Sequence, residues 1–185
     1  MSKPIIGVLA LQGCVERHRP HIEAAGGIFQ TVKTQQDCEG VDAFILPGGE
    51  STTMLKLMKA FDLEETFLQQ FQEKPVWGIC AGSILMAKEV KNPTQKSFGL
   101  IDMTVQRNGY GTQLDSIHDT VEGYAVSFIR APVIEAVNDN AVQIKAEREG
   151  KPTWIQTPQY MATTFHPELT LEFPSPMHKA FLEMV

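Results

Sequence analysis

The sequence predicts an α/β fold in layers: a mostly parallel central sheet covered by helices, extended by antiparallel strands in the second half. Two observations carry this. Through the first half, short runs of Val, Ile, Leu and Phe alternate with helical stretches in a βαβ rhythm, and the runs are apolar almost without interruption. Strands buried on both faces of a parallel sheet need that continuity. Past Gly99 the rhythm changes to strand candidates punctuated by Gly and Pro.

In chain order, residues 5–10 form the first strand, followed by a helix over about 15–25, strands at 28–32 and 43–46, and helices between 52 and 71. A fourth strand at 76–79 runs into a helix reaching about residue 90. Later strand candidates are 102–106, 125–129, 141–147, 153–157 and 160–165, and residues 181–185 close a short terminal helix. No repeat, low-complexity segment or linker interrupts the chain. Its 185 residues suit one well-buried core, so residues 1–185 are expected to form a single domain.

Composition narrows the classes of function. A formal net charge of −6 argues against a nucleic-acid surface, which would show a clustered basic face. No apolar stretch reaches the length of a membrane span, and Met1-Ser2-Lys3-Pro4 leads straight into the first strand, so no membrane association and a cytoplasmic location are expected. The three cysteines, Cys14, Cys38 and Cys80, are odd in number and widely spaced. That fits neither a disulfide framework nor a zinc site.

The segment Val76-Trp77-Gly78-Ile79-Cys80-Ala81-Gly82 has the layout of a nucleophile elbow: a short apolar strand, a cysteine between two glycines, then a helix. Such a turn exposes its central side chain at the carboxyl end of a sheet, and a helix N-terminus favours a thiolate. A small buried apolar cysteine would give the same segment. A second strand-like run ends in Phe165-His166-Pro167-Glu168. Cysteine chemistry needs a base; a histidine can take the thiol proton and return it to a leaving amine, and a carboxylate on its other ring nitrogen fixes the tautomer. Alone, His-Pro-Glu also suits a solvated loop; beside an elbow it is a triad candidate. The third motif is Leu46-Pro47-Gly48-Gly49-Glu50-Ser51-Thr52-Thr53, a strand, a Gly-Gly turn and a helix start with Ser and Thr in capping positions. Its backbone N–H groups can cradle a phosphate or form an oxyanion hole, and an ordinary strand-to-helix connection would look alike. If the sheet is doubly wound, the strand ends at Leu46, Ile79 and Phe165 converge on one edge.

Taken in order, Gly7-Val8-Leu9-Ala10-Leu11-Gln12-Gly13, the 46–54 loop, Gly78-Ile79-Cys80-Ala81-Gly82, Arg107-Asn108-Gly109-Tyr110-Gly111, Phe128-Ile129-Arg130-Ala131-Pro132 and Phe165-His166-Pro167-Glu168-Leu169-Thr170 carry a resemblance across nearly the whole chain. The sequence resembles the glutaminase subunits of ribose 5-phosphate-dependent pyridoxal 5′-phosphate synthase, a branch of the class I, triad-type glutamine amidotransferases. The resemblance implies a three-layer, flavodoxin-like fold and hydrolysis of L-glutamine without a cofactor or metal. It implies Cys80, His166 and Glu168 as the triad and the backbone N–H groups of Gly49 and Ala81 as the oxyanion hole. Gly49, Glu50, Ser51, Arg107, Ile129 and Arg130 would hold glutamine, and Gln12 and Gly48 would belong to the loop or a partner interface. It also implies that partner: a barrel-shaped synthase subunit that receives ammonia.

Three departures from that family stand out. The segment between Asp115 and Phe128 is several residues shorter, Gly109-Tyr110-Gly111-Thr112 replaces the more typical Ser-Phe-Gly-Arg, and Ser83 stands where a larger apolar residue is common. Two alternative readings remain: the glutaminase of another ammonia-channelling synthase, such as imidazole glycerol phosphate synthase, or a non-catalytic subunit on the same fold. His18 and His21, three apart on a helix without a third ligand, read as solvated histidines rather than a metal site. Met54 and Met58 read as core or interface filler, and Glu64 and Glu65 as a charge pair at a helix start.

Overall fold

The structure, a computed structural model, describes residues 2–109 and 116–185. The chain runs β1 (Ile5–Leu9), α1 (Arg19–Ala24), β2 (Ile28–Val32), β3 (Ala43–Leu46), α2 (Ser51–Ala60), α3 (Glu64–Glu73), β4 (Val76–Ile79) and α4 (Ala81–Met86). It continues through β5 (Ala87–Lys91), β6 (Ile101–Gln106), β7 (Ile117–Val121), β8 (Tyr124–Phe128), β9 (Val133–Val137), β10 (Gln143–Arg148), β11 (Lys151–Gln156), β12 (Tyr160–Thr163) and α5 (Pro176–Leu182). One short 3₁₀ turn, Glu16–His18, precedes α1, and another, Pro167–Leu169, follows β12.

The main sheet has seven strands in the order β10-β11-β12-β4-β3-β1-β2. β12, β4, β3, β1 and β2 are parallel neighbours, whereas β10 and β11 add on antiparallel. The strand interiors divide cleanly between two faces, as period-two side chains must. Leu9, Phe44, Leu46 and Val76 join Met54, Met58, Phe67 and Phe71 in one core cluster. Ile6, Val8, Ala43, Ile45, Trp77 and Ile79 join Phe165, Met177 and Phe181 in the other. Helices therefore cover both faces, and the expected layered α/β architecture is the observed one. Met54 and Met58 are fully buried, and Glu64 opens α3.

Several local expectations are corrected. The helix after the elbow stops at Met86, not near residue 90; residues 87–91 turn into β5, which pairs parallel with β6. With β9 these form a separate three-stranded sheet, and β7 and β8 form a hairpin of their own. The second half thus extends the main sheet only through β10–β12. The helix expected over 15–25 is a 3₁₀ turn followed by the six-residue α1. In place of Ser or Thr, the N-cap of α2 is Glu50, whose carboxylate accepts the Thr52 and Thr53 N–H groups. Tyr110, Gly111, Thr112 and Asp115, named above for their departures from the family pattern, lie outside the described residues.

Candidate active site

Register puts the three motifs on one sheet edge. Thr163 pairs with Ile79, and Leu46 pairs with Gly78, so β12, β4 and β3 end level, and the segments carrying His166, Cys80 and Gly48 leave side by side.

The elbow works differently from the expectation. Neither Gly78 nor Gly82 has a positive φ; the strained residue is Cys80 itself, at φ 49°, ψ −103°. That region costs a non-glycine residue roughly 1–3 kcal/mol and is retained where the surroundings over-determine it. Here they do: the Cys80 N–H is bonded to the Thr163 carbonyl at 2.8 Å, and the buried Ser83 hydroxyl donates to the Cys80 carbonyl at 2.6 Å. Ser83 is therefore part of the turn. The glycines serve close approach instead, since a Cβ at Gly82 would overlap the Leu46 carbonyl and one at Gly78 would press on Gly82 and Met86 at 2.6 Å.

His166 and Glu168 are both buried. Glu168 Oε1 meets His166 Nδ1 at 2.7 Å, which leaves Nε2 for Cys80, a neighbour that lines the same cavity and raises the His166 pKa; the Cys80 thiol itself donates to the Ile129 carbonyl at 3.9 Å. Burial alone would lower the His166 pKa, but Cys80 and the bonded Glu168 carboxylate raise it overall. Burial likewise opposes ionisation of Glu168, and the His166 hydrogen bond and charge outweigh it, so its pKa falls below the usual carboxylate value. The arrangement favours an imidazolium beside a carboxylate, the state a cysteine–histidine pair needs before attack.

Gly48 and Gly49 wrap this pair. A Cβ on Gly48 would fall on the His166 ring, and one on Gly49 would overlap Gln12 Oε1 and lie 2.9 Å from Met54. The Gly48 carbonyl accepts the Cys14 N–H at 2.9 Å. Peptide planarity then directs the Gly49 N–H the opposite way, and among the described residues it has no acceptor. Gln12 Oε1 accepts the Glu50 N–H at 2.7 Å, tying this loop to the end of β1.

Gly49, Glu50, Ser51, Arg107, Ile129 and Arg130 line one cavity together with Cys80 and Ala81. All six residues expected to hold glutamine are thus brought together. Sequence reasoning missed Ile84 and Asn108 on the same wall. A second cavity shares Cys80 and Gly49 and adds Cys14, Gly48, His166 and Leu169. Glu50 is partly buried, which opposes ionisation, yet hydrogen bonds from Thr52 and Thr53 hold its pKa near about 2; Arg107 Nη2 lies 3.3 Å from Oε1. The cavity therefore presents a fixed carboxylate and a cation side by side, complementary to an amino acid's ammonium and carboxylate. Arg130 holds a positive φ of 43°, a local strain of the kind that clusters at binding sites.

His18 and His21 contradict the solvated reading: both are fully buried, as is His178. Among the described residues no group of side chains has the makings of a metal site. Burial lowers the pKa of His18 to about 4, that of His178 well below its ordinary value, and that of His21 in the same direction, so the fold holds the His18 and His178 rings neutral while the unfolded chain would protonate them below about pH 6.5. The unfolded state then binds more protons, and stability falls with falling pH. His166, with its raised pKa, acts in the opposite sense only above about pH 6.5; below that both states hold its proton and it adds no slope. Thermal melting followed from pH 7 to pH 4.5 should show a loss approaching about 2–3 kcal/mol per pH unit at its steepest; a melting temperature flat across that window would contradict the burial.

This fold is that of the class I glutamine amidotransferases. A solved structure described as a glutamine amidotransferase superposes with a TM-score of 0.85 at 35% identity, covering 97% of each chain. A glutamine amidotransferase from Thermotoga maritima shares the fold at TM-score 0.56 and 12% identity, covering 100% of this chain and 95% of the other. The chain belongs to the SNO glutamine amidotransferase family, whose pattern matches residues 8–185. It is 41% identical to the pyridoxal 5′-phosphate synthase subunit PdxT of Solibacter usitatus over 96% of this chain and 97% of that one. The PdxT subunit of Thermotoga petrophila is also 41% identical, over 97% of this chain and 98% of that one. Among the described residues no helix is long and apolar enough to cross a membrane.

Proposed function

We propose that this chain hydrolyses L-glutamine to L-glutamate and ammonia through Cys80, His166 and Glu168, as the glutaminase subunit of a pyridoxal 5′-phosphate synthase. The observation that carries the reading is the buried Glu168–His166 pair, closed at 2.7 Å, with Cys80 lining both the cavity it shares with His166 and the one walled by Glu50 and Arg107. Near-full-length identity to PdxT subunits supports the pathway.

The chemistry follows from placement. Glutamine enters with its ammonium toward Glu50 and its carboxylate toward Arg107 and Arg130. His166 takes the Cys80 proton, and the sulfur attacks the side-chain amide carbon. The Gly49 and Ala81 N–H groups hold the oxyanion. His166 then gives its proton to departing ammonia, and afterwards activates the water that hydrolyses the glutamyl thioester. Throughout, Glu168 keeps the imidazolium stable and aimed. Glu168→Gln keeps an acceptor for Nδ1–H but loses the charge, so turnover should fall about 10⁴-fold, less than loss of the nucleophile, while Cys80 stays in place. Steady-state glutamate release measures this; unchanged turnover would remove Glu168 from the triad.

Released ammonia would pass to a barrel-shaped synthase subunit, and docking would act on the Gly48–Gly49 peptide, which the Cys14 N–H holds by its carbonyl in the chain alone. A cytoplasmic location accords with three free cysteines.

A further inference from the structure

Behind Glu168 lies a buried polar cluster that the mechanism above does not use. His18 ends the 3₁₀ turn Glu16–His18, which packs against the turn Pro167–Leu169 carrying Glu168. His18 Nδ1 lies 2.9 Å from His178 Nε2, and His178 Nδ1 lies 2.6 Å from Ser175 Oγ. Two atoms at the inner end of this chain, His18 Nε2 and Glu168 Oε2, are buried and have no hydrogen-bond partner among the described residues. The two turns that carry them pack together, and in keeping with that the Glu168 charge favours a protonated His18 while His18 favours an ionised Glu168. One orphan can donate and the other can only accept.

We infer that His18 is a positioning residue for Glu168: its Nε2–H serves the second carboxylate oxygen of the proposed triad, and His178 and Ser175 fix the tautomer that puts the proton there. The inference rests on the triad reading given under Proposed function.

The direction of the chain follows from its ends. Ser175 is the N-cap of α5, and its Oγ already accepts the His178 backbone N–H at 3.1 Å. Its own proton is therefore available to His178 Nδ1. His178, buried and neutral, then carries its proton on Nε2 and donates to His18 Nδ1, which leaves the His18 proton on Nε2. The reverse order would turn a lone pair toward a carboxylate in a dry interior, where such an opposition is most costly. His21 locks the far end, stacking on His178 with centroids 4.3 Å apart and accepting the Ser175 N–H at 3.0 Å. The Cys14 thiol also lies against Glu168; burial first, and then that charge, push its pKa up to about 11, so it stays a weak neutral donor. His18 Nε2 and Glu168 Oε2 stand outside direct hydrogen-bond geometry, and an ordered water would carry the bond between them. Held on both oxygens, Glu168 cannot rotate away from His166 Nδ1.

Two measurements test this. Long-range proton–nitrogen correlation of the histidine rings in the unmodified chain should show His18 neutral with its proton on Nε2; a proton on Nδ1 would overturn the inference. In kinetics with the synthase subunit present, His18→Leu should lower kcat about tenfold, the scale seen when a group that holds a reacting residue from behind is lost, with KM for glutamine within about twofold. The acid limb of the pH profile should move to higher pH, because Glu168 loses a donor to its charged form. His18→Gln, whose amide nitrogen donates from nearly the same place, should restore most of kcat. Wild-type turnover and pH profile in His18→Leu, or equal losses in both variants with an unmoved acid limb, would overturn it. If instead Glu168→Gln leaves turnover intact, the triad reading fails, a result the histidine variants cannot mimic.

Discussion

Replacing Cys80 with alanine is expected to abolish glutamine turnover, by at least about 10⁴-fold, with the melting temperature changed by only a few degrees. The size follows from the sulfur's role as the atom that bonds carbon: without it, no positioning by Glu50 or Arg107 and no base at His166 has a nucleophile to act with, and triad losses of this kind reach about 10⁴–10⁶-fold. The small stability change follows from the site. Cys80 is the N-cap of α4, but its side chain makes no capping hydrogen bond; the backbone bond to Thr163 and the Ser83 bond to its carbonyl survive the substitution. Glutamate release and thermal melting on the same preparation check both halves. Residual turnover within tenfold of wild type would show that another group attacks the amide.

The largest loss of stability is expected from Gly82→Ala. Its Cβ would overlap the Leu46 carbonyl oxygen and come within 2.9 Å of the Leu46 side chain. Leu46 is fully buried at the end of β3, and backbone atoms cannot swing aside as a flexible side chain can, so α4 must lift from the sheet. Overpacking of this kind costs about 3 kcal/mol or more, about 6–12 °C of melting temperature for a chain of this size. Activity should fall with it, because the same displacement moves the Gly48–Gly49 loop relative to Cys80. A variant that melts like wild type and turns over normally would show that the elbow tolerates a looser fit than the packing implies.

The parallel half of the sheet was legible because its strands are short, apolar and bounded by Gly, Pro or a helix start, and the elbow was legible because Gly-x-Cys-x-Gly joins a strand to a helix. β5 was not. Ala87-Lys88-Glu89-Val90-Lys91 consists largely of helix formers, and only pairing with β6, distant in sequence, makes it a strand. The β7–β8 hairpin turns on Glu122 and Gly123, both at positive φ; a Glu in that place is an unusual turn residue. The three buried histidines were hidden for a similar reason. His18 and His21 sit among Arg17, Arg19 and Glu23, neighbours that speak for solvent, and the helix that buries them, α5, arrives at the other end of the chain. At the site, residue types told which side chains could act, while the strain at Cys80 and Arg130 and the contact of Gly48 with His166 are properties of the folded chain alone.

The decisive measurement is glutamate release from glutamine by the purified chain, with and without its synthase partner and with the Cys80→Ala variant alongside. Release should rise sharply when that partner is added and vanish in the variant; release indifferent to the partner, or persisting without the Cys80 sulfur, would rule out a synthase-coupled cysteine glutaminase.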